Sequence, residues 1–443
     1  MPKRSRLTPP SGGGSGSSLS EDCLGSFFPS SSSGGSGAQA LAPGHQESSL
    51  GEPNDGLVGV SLGSSSMSPS ALIDAMTTET LGGDGAACVE TIRLAGPAMD
   101  VGFHSTKTIV ACALITGGVR VFEYDEHAYR GQTDDSAELT PARRLVKLKP
   151  HGAACRAAQF AEDTLLTASS DGTIAAIDVE AGKVMARLND AHPDAVNVLC
   201  PLTAPDDGSG GGGGGSAAGG GGGALVASGD DSGIVRIWDL RARAMVTEFV
   251  THDDYISTLR LYGTYLVSAS GDGSVAYTDL RRVLARGESS GSKLTLKTKQ
   301  TAEGDDEVLC LDMVRGGERI IAGLSTGSLQ LYTVGDIEAG ATDRIPGHPD
   351  SVDAIVSLEG LEGGSGDSLV VTGCGDGMLR VVSLFPHQIL GVLGEHGTAS
   401  MPVEVLTMSN RGRYGKPGHA VMASASHDAT VRLWSAAEAA SSR

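Results

Sequence analysis

Short runs of Val, Ile, Leu and Thr alternate with polar residues from Val89 onward, and tight turns separate the runs. Alternation with a period of two places the apolar side chains on one face of a β-strand. Seven segments share one design, in which small residues precede a turn of the Asp-Gly type and an alternating strand follows. They read ACALITGGVRVFEYD, TASSDGTIAAID, ASGDDSGIVRIWD, SASGDGSVAYTD, AGLSTGSLQLY, TGCGDGMLRVVS and ASASHDATVRLWS. Because Asp-Gly tolerates the positive φ angles of a two-residue turn, the pattern predicts a β-hairpin repeated seven times.

The hairpins recur at the spacing of propeller blades. The residues at one matching position are Phe122, Ile177, Trp238, Thr278, Tyr332, Val382 and Trp434. A four-stranded blade with its loops occupies about 40–45 residues, and these positions follow one another at that interval or somewhat more. The sequence therefore predicts an all-β fold, a seven-bladed WD-repeat β-propeller over about residues 86–437.

Composition sets off three further segments. Residues 1–80 are rich in Ser and Gly and poor in large apolar side chains, which predicts a disordered N-terminal extension. A glycine-rich run at about 204–223 predicts a flexible loop in the third blade. Residues 438–443 are expected to form a short tail, which leaves no outer strand for the last blade. Because an unpaired edge is a liability, we expect residues 88–94 to supply that strand and close the ring.

Charge and cysteine usage narrow the choice of partners. The formal net charge is -20, and such a field repels phosphate backbones, so direct nucleic-acid contact is not favoured outside a local basic run such as Arg143–Lys149. The seven cysteines form no C-x-x-C pair, which predicts neither a disulfide framework nor a zinc site. No apolar stretch has the length of a membrane span, so no membrane contact is expected.

Histidines are the one residue type whose placement invites a catalytic or metal reading. Five stand just before the first strand of a blade: His151, His192, His252, His348 and His396. Equal placement in different blades sets them apart around the ring, so they cannot converge on one ion or substrate. No nucleophile elbow, phosphate loop or H-E-x-x-H pattern occurs either. We expect a non-catalytic scaffold without cofactor or metal, a monomeric propeller that binds proteins within larger complexes.

Several segments depart from a generic repeat. MDVGFH, THDDYISTL, LVSASGDGSVAYTDLRR, VVTGCGDGMLRVVSLFPHQILGVLGEHG and PVEVLTMSNRGRY resemble segments of the WD repeat-containing protein 55 family, over roughly residues 89–436. The resemblance implies a nuclear, chiefly nucleolar scaffold in ribosomal RNA processing and large-subunit biogenesis, with pre-ribosomal assembly factors as partners and the cytoplasm as an alternative location. Family members often end in a lysine-rich tail, whereas this chain ends AAEAASSR, so PKRSR at residues 2–6 is its candidate nuclear address.

The same resemblance implies a structural hydrogen-bond network in each blade. In WD-repeat propellers a histidine bonds the turn aspartate, which links through a strand Ser or Thr to a tryptophan. The last blade has the residues for the full network: His396, Asp428, Ser424 and Trp434. The second, fourth and sixth blades keep the aspartate but lack the tryptophan, so their networks are expected to be truncated.

Plant members of the family imply an alternative function, that of a substrate receptor of a cullin-RING (cullin-4 type) ubiquitin ligase. The adaptor of that ligase recognises a repeat ending in W-D-x-R. The candidate docking residues are Trp238, Asp239 and Arg241 in the third blade, and Asp279 and Arg281 in the fourth. Neither motif is complete, because Ser232 stands where the turn aspartate of the third blade is expected and Thr278 replaces the tryptophan of the fourth.

Overall fold

A computed structural model describes residues 88–125, 141–202, 225–284, 296–359, 368–396, 401–409, 420–436 and 439. These residues form seven four-stranded sheets in which every pairing is antiparallel, and the predicted all-β, seven-bladed propeller is confirmed. The 1–80 extension, the 204–223 loop and most of the 438–443 tail lie outside the described residues, so what the sequence indicates about them stays a prediction.

The first strand, β1 (Cys88–Arg93), belongs to the last blade, and the strands after it form the blades in chain order. Blade 1 contains β2 (Ala98–Phe103), β3 (Ile109–Leu114), β4 (Val119–Glu123) and β5 (Arg143–Leu148). Blade 2 contains β6 (Cys155–Ala161), β7 (Thr164–Ser169), β8 (Ile174–Asp178) and β9 (Lys183–Leu188). Blade 3 contains β10 (Val196–Pro201), β11 (Leu225–Asp230), β12 (Ile234–Asp239) and β13 (Ala244–Val250).

The other four blades repeat this arrangement. Blade 4 contains β14 (Ile256–Tyr262), β15 (Tyr265–Ser270), β16 (Val275–Asp279) and β17 (Lys297–Gln300). Blade 5 contains β18 (Val308–Val314), β19 (Arg319–Leu324), β20 (Leu329–Thr333) and β21 (Asp343–Ile345). Blade 6 contains β22 (Val352–Ser357), β23 (Leu369–Cys374), β24 (Met378–Leu384) and β25 (His387–Glu395). Blade 7 contains β26 (Val403–Met408), β27 (Val421–Ser426), β28 (Thr430–Ser435) and β1. A short helix, α1 (Arg281–Leu284), follows β16, and a 3-10 helix (Val334–Ala339) follows β20.

The hydrophobic core lies between neighbouring blades, because each sheet buries apolar side chains on both faces. Trp434 of blade 7, for example, packs in one cluster with Val381 and Leu393 of blade 6. Since all pairings are antiparallel, the first and third strands of a blade run in the same direction. We call the end of the propeller where the first strands begin the upper end, and the end where they finish the lower end.

The loop between the second and third strands differs from the two-residue turn that the sequence predicts. In blade 2 the Ser169 N–H donates to the Thr173 carbonyl (3.1 Å), and the Gly172 N–H donates to the Ser169 carbonyl (3.1 Å), so three residues lie in the loop. Only the third of them, Gly172, has a positive φ, 74°. The carboxylate of Asp171 accepts bonds from the Thr173 N–H (3.1 Å) and hydroxyl (2.5 Å), which closes the loop from the side. The expected two-residue turn is therefore wrong, and the loop is of the three-residue type with one left-handed residue.

The left-handed position of this loop is occupied by glycine in six blades and by alanine in the seventh. The residues are Gly117, Gly172, Gly233, Gly273, Gly327, Gly377 and Ala429. A left-handed backbone costs about 1 kcal/mol when a Cβ is present. Ala429 has φ 60°, so blade 7 carries this strain.

We expect Ala429→Gly to raise the free energy of unfolding by about 1 kcal/mol, measured by guanidinium unfolding. Ala423→Gly, within β27, is the matched control and should lower it by about 1 kcal/mol, because a glycine inside a strand adds entropy to the unfolded chain without relieving strain. A loss of stability in both variants would contradict this account of the loop.

Blade 7 is completed by the strand that comes first in the described chain. β1 pairs with β28, with Cys88 opposite Trp434 and Arg93 opposite Thr430. Ile92 is 6% exposed and packs in one cluster with Val431 of blade 7 and residues of blade 1. The ring is thus joined by hydrogen bonds and by a side chain between the two ends of the propeller sequence.

Candidate functional site

Blade 3 contains a complete polar network that begins at the upper end and reaches its tryptophan. The His192 ring lies with Nδ1 2.7 Å from Asp230 Oδ2 and Nε2 2.7 Å from Ser228 Oγ. The Trp238 Nε1–H donates to the same Ser228 hydroxyl at 2.9 Å. All four side chains are buried, so each polar atom of this network depends on another member of the network for its hydrogen bond.

The aspartate of this network is one that the sequence pattern did not single out. Alignment on the turn places Ser232 at the expected aspartate position, whereas the structure uses Asp230, the last residue of β11. Its second carboxylate oxygen accepts the N–H groups of Ser232 (3.0 Å) and Ile234 (2.9 Å). Burial raises the pKa of Asp230, but the bonds from His192 and these N–H groups outweigh it and hold the pKa below its usual value. The signal was present, because Ser228 and Asp230 are two residues apart on a strand and share a face.

In blade 7 the four residues named from the sequence lie together, in a different order of contacts. His396 Nδ1 is 2.6 Å from Ser424 Oγ, and the Trp434 Nε1–H donates to that oxygen at 2.7 Å. The Thr430 hydroxyl donates to Asp428 at 2.7 Å and lies 3.2 Å from His396 Nε2. The histidine thus bonds the serine through Nδ1, while its Nε2 faces both Thr430 and Asp428, whose Oδ1 is 3.5 Å away.

The blades without tryptophan hold their histidines by shorter networks. His151 lies 2.8 Å from the hydroxyls of both Thr167 and Thr173, and Ile177 occupies the tryptophan position without a polar atom. His252 of blade 4 is held in the same way, by two serine hydroxyls. Each of these rings is satisfied inside its own blade, which is a structural role.

Blade 6 departs furthest from the pattern. His348 Nε2 is 2.9 Å from Thr372 Oγ1, and its Nδ1 has no hydrogen-bond partner among the described residues. The aspartate of this blade, Asp376, accepts two bonds from the buried guanidinium of Arg380 (3.0 and 2.5 Å) instead of turning to the histidine. Met378 stands where Thr173 stands in blade 2, so blade 6 lacks the hydroxyl that would reach the second ring nitrogen.

Three of the five histidines are held in the neutral form by burial. Burial lowers the pKa of His151, His348 and His396 to about 4. In the part of the chain that the structure describes, no group of three His, Cys, Asp or Glu side chains is placed to hold a metal ion. Over the same residues, no helix has the length and apolar character needed to cross a membrane.

The candidate docking residues of blade 3 lie at the lower end, where β12 finishes. Trp238 is only 8% exposed and belongs to the network above, so a partner cannot reach it. The Asp239 carboxylate accepts the backbone N–H groups of Arg241 (2.9 Å) and Ala242 (3.0 Å) and shapes the turn. The Arg241 side chain is exposed and makes no hydrogen bond or ion pair with any described residue. Of these three residues, Arg241 alone is presented to solvent with an unused charge.

In blade 4 the equivalent aspartate and arginine, Asp279 and Arg281, bond each other. Arg281 Nη2 donates to Asp279 Oδ2 at 2.5 Å, and its Nε donates to the same carboxylate at 3.0 Å. The guanidinium also lies 5.7 Å from the ring centroid of Tyr265. This hydrogen bonding lowers the pKa of Asp279 and raises that of Arg281. The two arginines, in neighbouring blades, are therefore not equivalent, because Arg281 already has a carboxylate partner.

Seven antiparallel blades, two of them with a His–Ser–Trp network, define the class of this protein as a WD-repeat β-propeller. Residues 388–435 match the family described as WD domain, G-beta repeat. The chain is 31% identical over 351 residues to WD repeat-containing protein 55 from Arabidopsis thaliana, covering 78% of this chain and 82% of that protein. It is 28% identical to WD repeat-containing protein 55 from Homo sapiens (79% and 77% covered) and 29% identical to WD repeat-containing protein JIP5 from Malassezia globosa (71% and 75%). The chain belongs to the WD repeat-containing protein 55 family, as the sequence segments indicate.

Proposed function

We propose that this WD-repeat scaffold acts in the nucleolus, in ribosomal RNA processing and biogenesis of the large ribosomal subunit, by holding pre-ribosomal assembly factors together. Its membership of the WD repeat-containing protein 55 family carries the proposal. The roles of the histidines support the proposal. Each of the five histidines bonds side chains of its own blade, which leaves the two ends of the propeller for contacts with proteins. A non-catalytic scaffold needs only a stable fold and a surface that binds its partners.

A second candidate function, that of a substrate receptor for a cullin-RING (cullin-4 type) ligase, is favoured by one observation. Arg241 follows a Trp-Asp pair, is exposed, and has no partner among the described residues. An arginine in that state can form a bidentate bond with a carboxylate of an adaptor at no cost to the fold. Arg281 offers less, because such a bond would compete with Asp279.

The two functions are separated by one experiment, affinity purification of the tagged full chain from nuclear extract. We expect pre-ribosomal proteins to co-purify with the unchanged protein and with Arg241→Ala alike. If the ligase function also holds, the adaptor co-purifies with the unchanged protein and is lost from Arg241→Ala, but is retained by Arg144→Ala, which removes an exposed arginine from β5. Absence of pre-ribosomal proteins from every preparation would overturn the scaffold proposal. Equal adaptor recovery from both variants would remove Arg241 from the docking site.

A further inference from the structure

Aromatic residues make up only 4% of the chain, yet several of them gather at the lower end of blades 4, 5 and 6. We call this region the lower aromatic surface, and it consists of Tyr262, Tyr265, Tyr277, Arg281, Arg282, Arg315 and Phe385. The strand order explains why they meet. First and third strands finish at the lower end. These residues close β14, begin β15, lie in β16, or follow β16, β18 and β24 within three residues.

Contacts between rings and guanidinium groups hold the surface together across the three blades. The rings of Tyr265 and Tyr277 stack with centroids 4.5 Å apart and planes at 18°. The ring of Tyr262 packs on Gly317 of blade 5, where a Cβ would come within 1.8 Å of its Cζ. The Arg315 guanidinium, also in blade 5, lies 4.7 Å from the ring centroid of Phe385 in blade 6. Blades 4, 5 and 6 therefore present one continuous patch.

Two carboxylates next to this patch are occupied by the fold itself. Asp279 is bonded by Arg281, as described above. Glu359 accepts the backbone N–H groups of Arg315 and Gly316, the latter at 2.9 Å, and the Ser368 hydroxyl at 2.9 Å. Each of these carboxylates therefore has its oxygens engaged, and neither is available to a free cation nearby.

Two guanidinium groups at this end of the propeller, in contrast, are available to a partner. Arg282, the second residue of α1, and Arg315 are exposed, and neither guanidinium has a carboxylate partner among the described residues. Glu318 is an exposed carboxylate in the same loop as Arg315. Exposed guanidinium groups without a carboxylate partner can form charge-assisted hydrogen bonds with carboxylates of another protein.

We propose that the lower aromatic surface docks an acidic peptide segment of a partner protein. Carboxylates of the segment pair with Arg282 and Arg315, and an apolar side chain of the segment packs against the exposed part of Tyr262, which is 37% exposed. Tyrosine and arginine are the residues that contribute most at protein–protein interfaces, since they bury large area and make directed bonds at low entropic cost.

Single-stranded nucleic acid fits the surface less well. Such strands bind by stacking bases on open aromatic faces, and here the three tyrosine rings already use ring faces on one another or on Gly317. The proposal goes beyond the scaffold function, because it names a surface and the chemistry of its partner whatever assembly the protein serves.

The test uses purified full chain and three fluorescent probes of equal length: a peptide of Asp, Glu and Phe, the same peptide with Lys in place of the acids, and a uridine oligonucleotide. We expect fluorescence anisotropy to detect binding of the acidic peptide only. Arg282→Glu with Arg315→Glu should weaken it about tenfold or more, and Tyr262→Ala should weaken it by a similar factor. Glu318→Gln should tighten binding, because it removes the one exposed carboxylate of the Arg315 loop.

The matched control is Arg144→Glu, which makes the same charge change on the outer strand of blade 1 and should leave binding unchanged. Circular dichroism of each variant reports whether the propeller is intact, and Arg282 and Arg315 are exposed enough for their replacement to leave it so. No binding of the acidic peptide, or equal weakening by Arg144→Glu, overturns the proposal. Binding of the oligonucleotide that the double variant abolishes overturns it in favour of a nucleic-acid surface.

Discussion

Removing residues 1–95 lowers the free energy of unfolding by about 3 kcal/mol or more, whereas removing residues 1–75 leaves the propeller stable. The first truncation takes away β1, so β28 loses its paired neighbour and becomes an open edge. It also takes Ile92 out of the cluster that joins blade 7 to blade 1, and loss of a buried isoleucine alone costs about 2–5 kcal/mol. Guanidinium unfolding followed by circular dichroism measures the difference.

Single substitutions test whether the loss of stability comes from β1 itself or from the rest of the deleted segment. Ile92→Asp places a charge in the closing cluster and should destabilise the fold about as much as the truncation. Thr91→Asp changes the neighbouring residue, whose side chain is exposed, and should cost about 0.5 kcal/mol or less. If the two truncations unfold at the same denaturant concentration, β1 does not close the ring in the way described.

Replacing Asp230 by alanine costs about 3–5 kcal/mol, while the same change at Asp231 costs less than about 1 kcal/mol. Asp230 and His192 form a fully buried pair, and removing one partner of such a pair leaves the other without compensation. Asp231 is 44% exposed and bonds Arg156 and Asn197 at the surface, where ion pairs contribute little. The two neighbours are thus a matched pair, and unfolding of the two variants at pH 7 measures the difference.

The effect of Asp230→Ala also depends on pH with a definite sign. The folded-state pKa of Asp230 lies below its usual value near 3.8, so its contribution to stability is present above pH 3.8 and is lost as pH falls through the folded-state value. The gap in unfolding free energy between the protein and the variant should be constant from pH 7 to pH 5 and should shrink below pH 3.8. A gap that widens on acidification would falsify the assignment of Asp230 as an ionised member of the network.

The repeats show how far local pattern reaches. Strand alternation and turn residues are local properties, so the seven hairpins, their spacing and the class of fold follow from short segments of chain. The loop type was missed because the left-handed position needs one glycine, and an Asp-Gly pair is compatible with both turns. The sequence does not predict that Thr430 joins His396 and Asp428 in this network, because the WD-repeat pattern names no hydroxyl at that position.

The sequence pattern alone predicts the propeller, the closing strand and the separation of the histidines around the ring. Each of these follows from the repeat period, the number of repeats and their order along the chain. Two features depend on residues brought together from separate segments. Asp230 reaches a histidine 38 positions earlier in the chain, and Arg315 meets Phe385 from the next blade. Such contacts are set by how strand ends and loops pack in three dimensions, and a pattern of alternation and turn residues along the chain does not specify those distances.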